Sequence, residues 1–440
     1  MTEPILLVAD SDSQLLYAEA LSRFWDRKAV PVTINVVPRD GTPQAIVRRL
    51  QAKARIWQLP VSRLLLDPDL REFFAVGVFL TGSKLAEFRA AYHLQANRRG
   101  WRPAPLFCGF NGVVLEKFDE AITWRLGYDL IGLNGPRDHA RLQRLLRDTP
   151  FAQQRSVITG LRRQSADPVA ATPPPRQRRF VFAEQVAMPA LAEERRRMVR
   201  LLADLAERSP HWEILIRPRV APDEATFHEH DVHISETMRQ ELGALHPRNL
   251  TLSYAPLADL LRTSQLFGTV SSTAFFDALD LGCRPLVMGD FGLANAYGTA
   301  VFAGSGLVRR FAELADLDGE ISGPGPDPAW LEWMGHSDRF STADLLSALR
   351  ELRATPAWAP PPLSHPGFVV NAADLSSNQL RLGAEALIQQ GDHSGAASLL
   401  EMALLQRPDH RNIARRLAAL RSRPRLLRRL WLLLTPRFRG

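Results

Sequence analysis

Residues 256–292 read PLADLLRTSQLFGTVSSTAFFDALDLGCRPLVMGDFG. The apolar spacing changes along this stretch. LADLLRTS has the period of a short helix, QLFGTVSS reads as a buried strand running into a turn, TAFFDALDLG as a second helix and RPLVMGD as the next strand. Gly282 supplies the stop after the second helix. Ser271, Ser272 and Thr273 therefore fall where a strand hands over to a helix, so hydroxyls and backbone N–H groups converge on the positive end of a helix dipole. Such a place suits an anion, a phosphate above all, and small Ala274 leaves the backbone approachable. The plainer role of Ser272 or Thr273 is to cap the helix.

The same alternation extends in both directions. After residue 179, RFVFAE (179–184) precedes a long helix, and WEILIRP (212–218) and NLTLSY (249–254) read as further buried strands. Before it, ILLVA (5–9), VTINVV (32–37), AVGVFL (75–80), APLFCGF (104–110) and YDLIGL (128–133) alternate with helical patterns starting near Ser13, Thr42 and Lys84. Strand and helix repeated in this way predict an α/β protein with two parallel, doubly wound, Rossmann-like sheets. The proline-rich stretch RQSADPVAATPPPRQRR (163–179) has no apolar period and separates a first domain, 1–162, from a second, 180–370. The cleft between two such domains is the expected site. Residues 374–420 are helical in texture and fit one tetratricopeptide-like unit, with Ala384, Gly391, Ala396, Leu400, Ala403 and Pro408 on its small, turn and proline positions. Residues 421–440 form a basic amphipathic tail.

The chain has 440 residues, 45% hydrophobic and 23% charged, which excludes wholesale disorder and a collagen-like repeat. Two cysteines, Cys108 and Cys283, are too few for a disulfide scaffold and favour a reducing compartment. The first residues, MTEPILLVADSD, read as a strand and not as an export signal, and no apolar run reaches the ~18 residues of a membrane span. The net charge of +8 is local: residues 411–440 hold ten arginines and no acid, leaving the rest at −2. A broad nucleic-acid surface is therefore not indicated. In the tail, Arg425, Arg428 and Arg429 lie near one side of a short helix, with Leu426, Leu427, Leu430, Trp431, Leu433 and Leu434 largely opposite. That pattern suits a helix lying in an anionic membrane surface, and so a cytoplasmic protein peripheral to the inner face of the cytoplasmic membrane.

The segment from 256 to 292 resembles the donor-nucleotide region of GT-B glycosyltransferases, in which a short helix, a strand, an SST-like loop, a helix bearing an acid and an apolar strand follow one another. It looks most like the capsule-polysaccharide branch, which includes polysialyltransferases, Kdo transferases and glycerophosphotransferases of the CDP-glycerol class. The resemblance implies a GT-B fold and a nucleotide-sugar donor, CMP-, CDP- or UDP-linked, whose phosphates rest on Ser271, Ser272 and Thr273 with Asp277 near the ribose. It implies transfer, with inversion, to a surface-polysaccharide or lipid-linked glycan acceptor. It also places Glu184 and Gln185 around the donor, and Arg217 and Arg219 at the family's basic turn, where an arginine fork suits a phosphate. The histidine expected after that strand is missing, and His246-Pro247 comes later instead.

Inverting transfer needs a group to deprotonate the acceptor hydroxyl. In the first domain Asp12 and Glu116 are the candidates, with Asp138 and His139 behind them. Ser11, Ser13, Gly109, Asn111 and Gly112 would line the acceptor side. The helix end and basic groups can stabilise the leaving phosphate, so neither a metal nor a cofactor is called for. The only metal-like spacing is His228, His230 and His233, in a polar loop without cysteine. Other classes stay open: a nucleotide-sugar epimerase of the same fold, or a non-catalytic scaffold that keeps it.

Overall fold

The computed structural model describes residues 3–38, 44–51, 54–82, 84–114, 118–161, 175–185, 188–219, 232–314, 317–355 and 377–421. Among these residues the strands form two parallel sheets. The first holds β1 (Ile5–Ala9), β2 (Val32–Val36), β3 (Arg55–Trp57), β4 (Ala75–Phe79), β5 (Leu106–Cys108), β6 (Leu130–Leu133) and β7 (Ser156–Ile158), in the order β3-β2-β1-β4-β5-β6-β7. Between them run α1 (Asp12–Asp26), α2 (Gln44–Gln51), α3 (Val61–Leu64), α4 (Lys84–Arg99), α5 (Phe118–Thr123) and α6 (Pro136–Leu146). The second holds β8 (Gln177–Ala183), β9 (Glu213–Arg217), β10 (Leu250–Leu252), β11 (Ser264–Thr269), β12 (Arg284–Met288) and β13 (Val308–Arg309), in the order β10-β9-β8-β11-β12-β13. Its helices are α7 (Ala192–Arg208), α8 (Ile234–Leu242), α9 (Leu257–Thr263), α10 (Ala274–Asp280), α11 (Leu317–Ser322) and α12 (Pro328–Met334).

The strand order reverses direction between β1 and β4 in one sheet and between β8 and β11 in the other. Those two switch points open crevices at the carboxyl ends of the strands, where α/β proteins bind ligands. Strands buried on both faces read as continuous apolar runs, and ILLVA is buried at all five positions. Each sheet seats an aromatic ring against a glycine on its fourth strand. A Cβ on Gly77 would collide with the Phe107 ring, and one on Gly268 with the Phe180 ring.

Three boundaries differ from the sequence pattern. β8 starts at Gln177, inside the 163–179 linker: Gln177 pairs with Ser264 and Arg179 with Glu213, so polar residues without an apolar pattern extend the strand. After α12 the chain returns to the first domain, so 180–370 is not one unit. There α13 (Thr342–Ala354) buries Leu345, Leu346 and Leu349 among Ile5, Leu7 and Trp25, and Arg350 pairs with Glu3 at 2.7 Å. The crossing is made at Gly335, whose φ is +94° and where a side chain would run into the Asn134 carbonyl. Finally, the described part of 374–420 holds a packed helix pair, α14 (Ser377–Gln390) and α15 (His393–Gln406), to which a third helix, α16 (Arg411–Arg421), is added. Buried Arg416 of α16 donates to both oxygens of Glu385 at 2.8 and 2.6 Å, and α14 reaches the first domain through Leu382 and a 2.6 Å bond from Gln379 Nε2 to Thr123 Oγ1. Of the basic tail, 422–440 lie outside the described residues.

Candidate active site

At the second switch point one glutamine organises the turn. Gln185 Oε1 accepts from Ser271 N at 2.9 Å and from Thr269 Oγ1 at 3.2 Å, while its Nε2 donates to Ser271 Oγ at 3.3 Å. Ser272 N donates to Thr269 Oγ1 at 3.1 Å, and Ser272 Oγ accepts from Ala274 N at 3.2 Å. The three hydroxyls predicted to act together are thus divided. Ser271 is buried and bound to Gln185, Ser272 caps α10, and Thr273 lies on the interdomain cleft, its Oγ1 3.8 Å from where a Cβ on Gly112 would stand. Asp277, one turn into α10, lines the same cleft together with Phe276.

Glu184 and the arginines build the neighbouring turn. Glu184 is buried and ion-paired to buried Arg195 at 2.7 Å, accepts from Arg219 N at 3.4 Å, and donates its own N–H to the Arg217 carbonyl at 3.1 Å. Arg217 Nη1 donates to the Arg219 carbonyl at 3.2 Å, and the Arg219 side chain is exposed; neither arginine is on the cleft lining. His246 serves the turn before β10, its Nε2 lying 2.7 Å from the Leu250 carbonyl oxygen.

In the first domain the switch point is filled from within. Asp10, wholly buried at the end of β1, accepts from Thr81 Oγ1 at 3.0 Å and pairs with Lys84 at 3.4 Å. Ser11 is the buried N-cap residue of α1, and Ser13 is exposed and donates to Gln14 Oε1 at 2.8 Å. Asp12 opens α1, but its side chain is outside the described set, as is the whole of Glu116. Three carbonyls of the loop after β5 are held by donors. Arg125 Nε and Nη2 bond to Gly109 O at 3.1 and 3.0 Å, Asn134 Nδ2 to Gly112 O at 3.0 Å, and Arg137 Nη2 to Val114 O at 2.9 Å. Asp138 belongs to this network, accepting from Arg137 at 2.7 Å and from Asn134 at 3.2 Å, and His139 Nδ1 shares a 3.2 Å bond with Ser156 Oγ. Both reserve candidates are therefore engaged in holding the loop and the sheet. Burial lowers the Arg125 guanidinium pKa and pushes the Cys108 and Cys283 thiols up to about 12.

The cleft brings the pieces face to face. Asn111, Gly112 and Val113 form one lip, and Thr273, Phe276 and Asp277 the other. The first-domain wall is one face of α1, Tyr17, Ala20, Leu21 and Phe24, and the chain returning to α13 closes it with Phe340, Ser341 and Thr342. Ser11, Ser13 and Gly109 are not on this lining: Ser11 is the buried N-cap of α1, Ser13 is exposed, and Gly109 packs on the Gly132 backbone. Sequence reasoning missed the α1 face, although the 17, 20, 21, 24 spacing marks one helix side, and it missed Asn134, the polar residue between strand β6 and Gly135-Pro136.

Of the histidine cluster, His228 and His230 lie outside the described residues, and His233 caps α8 by accepting from Ser235 N at 3.2 Å while its ring stacks on Tyr254. Among the described residues no group of three or more His, Cys, Asp or Glu could hold a metal, and no helix is long and apolar enough to cross a membrane.

Solved structures share this architecture at low identity. A glycosyltransferase of Rickettsia africae superposes with a TM-score of 0.52 at 11% identity, over 81% of this chain and 100% of its own. A protein titled "putative UDP-N-acetylglucosamine 2-epimerase" from Listeria monocytogenes gives 0.50 at 13%, over 80% and 96%. The S. aureus protein MnaA, solved with UDP, gives 0.50 at 12%, over 82% and 99%. No curated protein matches the chain in sequence. With its two Rossmann-like sheets facing one cleft, the fold is GT-B. Residues 5–352 match the sequence family described as "Putative glycosyltransferase" (DUF6716), and the chain belongs to that family.

Proposed function

We propose that the protein transfers a sugar from a nucleotide-sugar donor held on the second domain to a hydroxyl of a surface-polysaccharide or lipid-linked glycan held on the first. The observation that carries this is the cleft in which Thr273 and Asp277 stand opposite Asn111 and Gly112. In this reading the donor phosphates rest against Thr273 and the start of α10, with Ser271 and Gln185 fixing the turn and Arg217 and Arg219 on the neighbouring turn. Asp277 receives the ribose. Asp12, at the acceptor-side start of α1, takes the proton from the attacking hydroxyl, with Glu116 as the alternative base. As the bond to the donor breaks, the helix end and the arginines accept the charge left on the phosphate. Closure of the two domains over the bound donor would keep water from acting as acceptor. UDP, named in the titles of the Listeria and S. aureus neighbours, is the first nucleotide to try, and the capsule-type resemblance adds CMP and CDP.

The test is thermal stabilisation by CMP, CDP, UDP, GDP and their sugars, since a ligand of the folded state raises the melting temperature. Thr273→Val should weaken the best nucleotide about tenfold at nearly unchanged stability. Ser272→Ala should instead cost about 1 kcal/mol of stability through the lost cap. A Thr273→Val protein that binds nucleotide as well as the parent removes that hydroxyl from the site, and product analysis separates transfer from epimerisation of the donor. We further propose that the arginine- and leucine-rich tail, 421–440, holds the protein on anionic lipid. The full chain should sediment with phosphatidylglycerol vesicles and not with phosphatidylcholine ones; equal sedimentation with both, or none, overturns this.

A further inference from the structure

We propose that the three-helix unit α14–α16 seats the first lobe on an anionic lipid bilayer, with the outer face of α16 as the contact surface. Such a seat extends the membrane role of the tail into the folded part of the chain and is independent of the transferase reading.

On α16 the apolar residues Ile413, Leu417 and Leu420 are buried in the core shared with α14 and α15. Arg411, Ala414, Arg415 and Ala418 follow the i, i+3, i+4, i+7 spacing of the opposite helix side, and all four are exposed. The helix carries no acid. Among the described residues neither Arg411 nor Arg415 is ion-paired, and exposed Arg407 adds a third guanidinium just before the helix, with Asp409 the one acid between. Alanines beside the arginines let both guanidinium groups reach a flat surface. From here the chain runs on through residues 422–440, which hold six arginines, six leucines and Trp431 but no acid. A row of cations that continues into an arginine-, leucine- and tryptophan-rich segment matches an anionic bilayer, which attracts the charge and takes up the apolar side chains.

The unit stands on the first lobe. Leu382 of α14 packs against the core that holds α4 and α5, and Gln379 Nε2 donates to Thr123 Oγ1, at the end of α5, at 2.6 Å. Buried Arg381 lies in the field of the α4 carboxylate Glu87. α16 is locked to α14 by the Arg416–Glu385 pair and to α15 by Arg421 and Glu401, so a surface that holds α16 also holds the lobe. The footing is close to the cleft. Two residues beyond Thr123, Arg125 donates to the Gly109 carbonyl and stands 4.0 Å over the Phe110 ring, at the base of the lip formed by Asn111, Gly112 and Val113.

The experiment uses the full chain with phosphatidylglycerol or phosphatidylcholine vesicles, and binding is read by sedimentation at low salt. Arg411→Ser with Arg415→Ser should weaken binding to phosphatidylglycerol about tenfold or more. Arg248→Ser with Arg262→Ser, which takes the same charge from the exposed surface of the second domain, should change it less than about twofold. Lysine at both α16 positions should restore binding, since a bilayer reads charge and not the arginine fork. To find which lobe lies nearer the lipid, a fluorophore is placed at Leu66→Cys or at Leu245→Cys, both exposed; Leu66 adjoins Leu65 of the core on which Leu382 packs. Burial holds the thiols of Cys108 and Cys283 up at about 12, so the introduced thiol takes the label. Energy transfer to a labelled lipid should be greater from the first-lobe position. An α16 double serine variant that binds like the parent leaves the tail as the sole contact and overturns the proposal. So does a loss that lysine does not restore, or energy transfer that is equal or greater from position 245. A parent chain that binds neither kind of vesicle overturns this seat and the tail's role together, while the transferase reading still stands or falls on the nucleotide panel.

Discussion

The two sheets have the same strand order around their switch points, yet they use those crevices in opposite ways. In the first, the end of β1 is occupied by the protein's own anion, Asp10, with Thr81 and Lys84 bound to it. In the second, the equivalent end of β8 is followed by Glu184, turned toward Arg195, and by neutral Gln185, which ties down the turn leading to α10. A phosphate brought to the first crevice would meet a carboxylate already paired. At the second it would meet a hydroxyl and a helix start. One architecture thus yields two chemistries: a buried acid follows the central strand in both, but Asp10 is bound to Thr81 and Lys84 of its own crevice, whereas Glu184 is turned to Arg195 and the next residue, Gln185, organises the facing turn.

The largest effect expected from breaking this contrast is at the second domain. Glu184→Ala should cost about 3–5 kcal/mol, because it leaves the Arg195 guanidinium buried without its carboxylate. Asp10→Ala should cost only about 1–2 kcal/mol, since the Lys84 side chain is 43% exposed and can turn to water. Denaturant unfolding of both variants measures the difference, and equal losses would end the distinction between the crevices. The most gradual effect is a pH dependence carried by the first domain. Burial holds the His93 imidazole down at about 4, so the folded state keeps it neutral while the unfolded chain takes a proton below about 6.5. Stability should therefore fall as pH drops from 6.5 toward 4, with a slope of at most about 1.4 kcal/mol per pH unit from this group. His93→Gln should flatten the slope in that window, and an unchanged pH profile would show that His93 does not contribute.

The central strands were legible because they are continuous apolar runs between turn residues. Three of the four edge strands were not: Arg55–Trp57, Ser156–Ile158 and Val308–Arg309 are short and only partly buried, so they lack the pattern. The strand-to-helix turn at Ser271–Thr273 could be read from local period alone, but the division of labour among its hydroxyls could not. That division depends on Gln185, 86 residues away from Ser271 along the chain. Likewise, the partners of Asp138, Arg137 and Asn134, are its neighbours in sequence, but what they hold, the carbonyls of Gly112 and Val114, lies more than twenty residues away. The apolar face of α1 was visible as a helix stripe, but a stripe does not say whether it meets a core or a cleft. Here Leu21 and Phe24 do both.

The return at Gly335 has a consequence for how the chain is assembled. Leu161 donates its N–H to the Gly335 carbonyl at 2.8 Å, so the points where the polypeptide leaves the first lobe and re-enters it touch. The intervening stretch is topologically an insertion with adjoining ends, the arrangement that tolerates excision or transplantation of a unit. During synthesis the amino-terminal lobe must wait for that whole insert to emerge before α13 can cover Ile5 and Leu7.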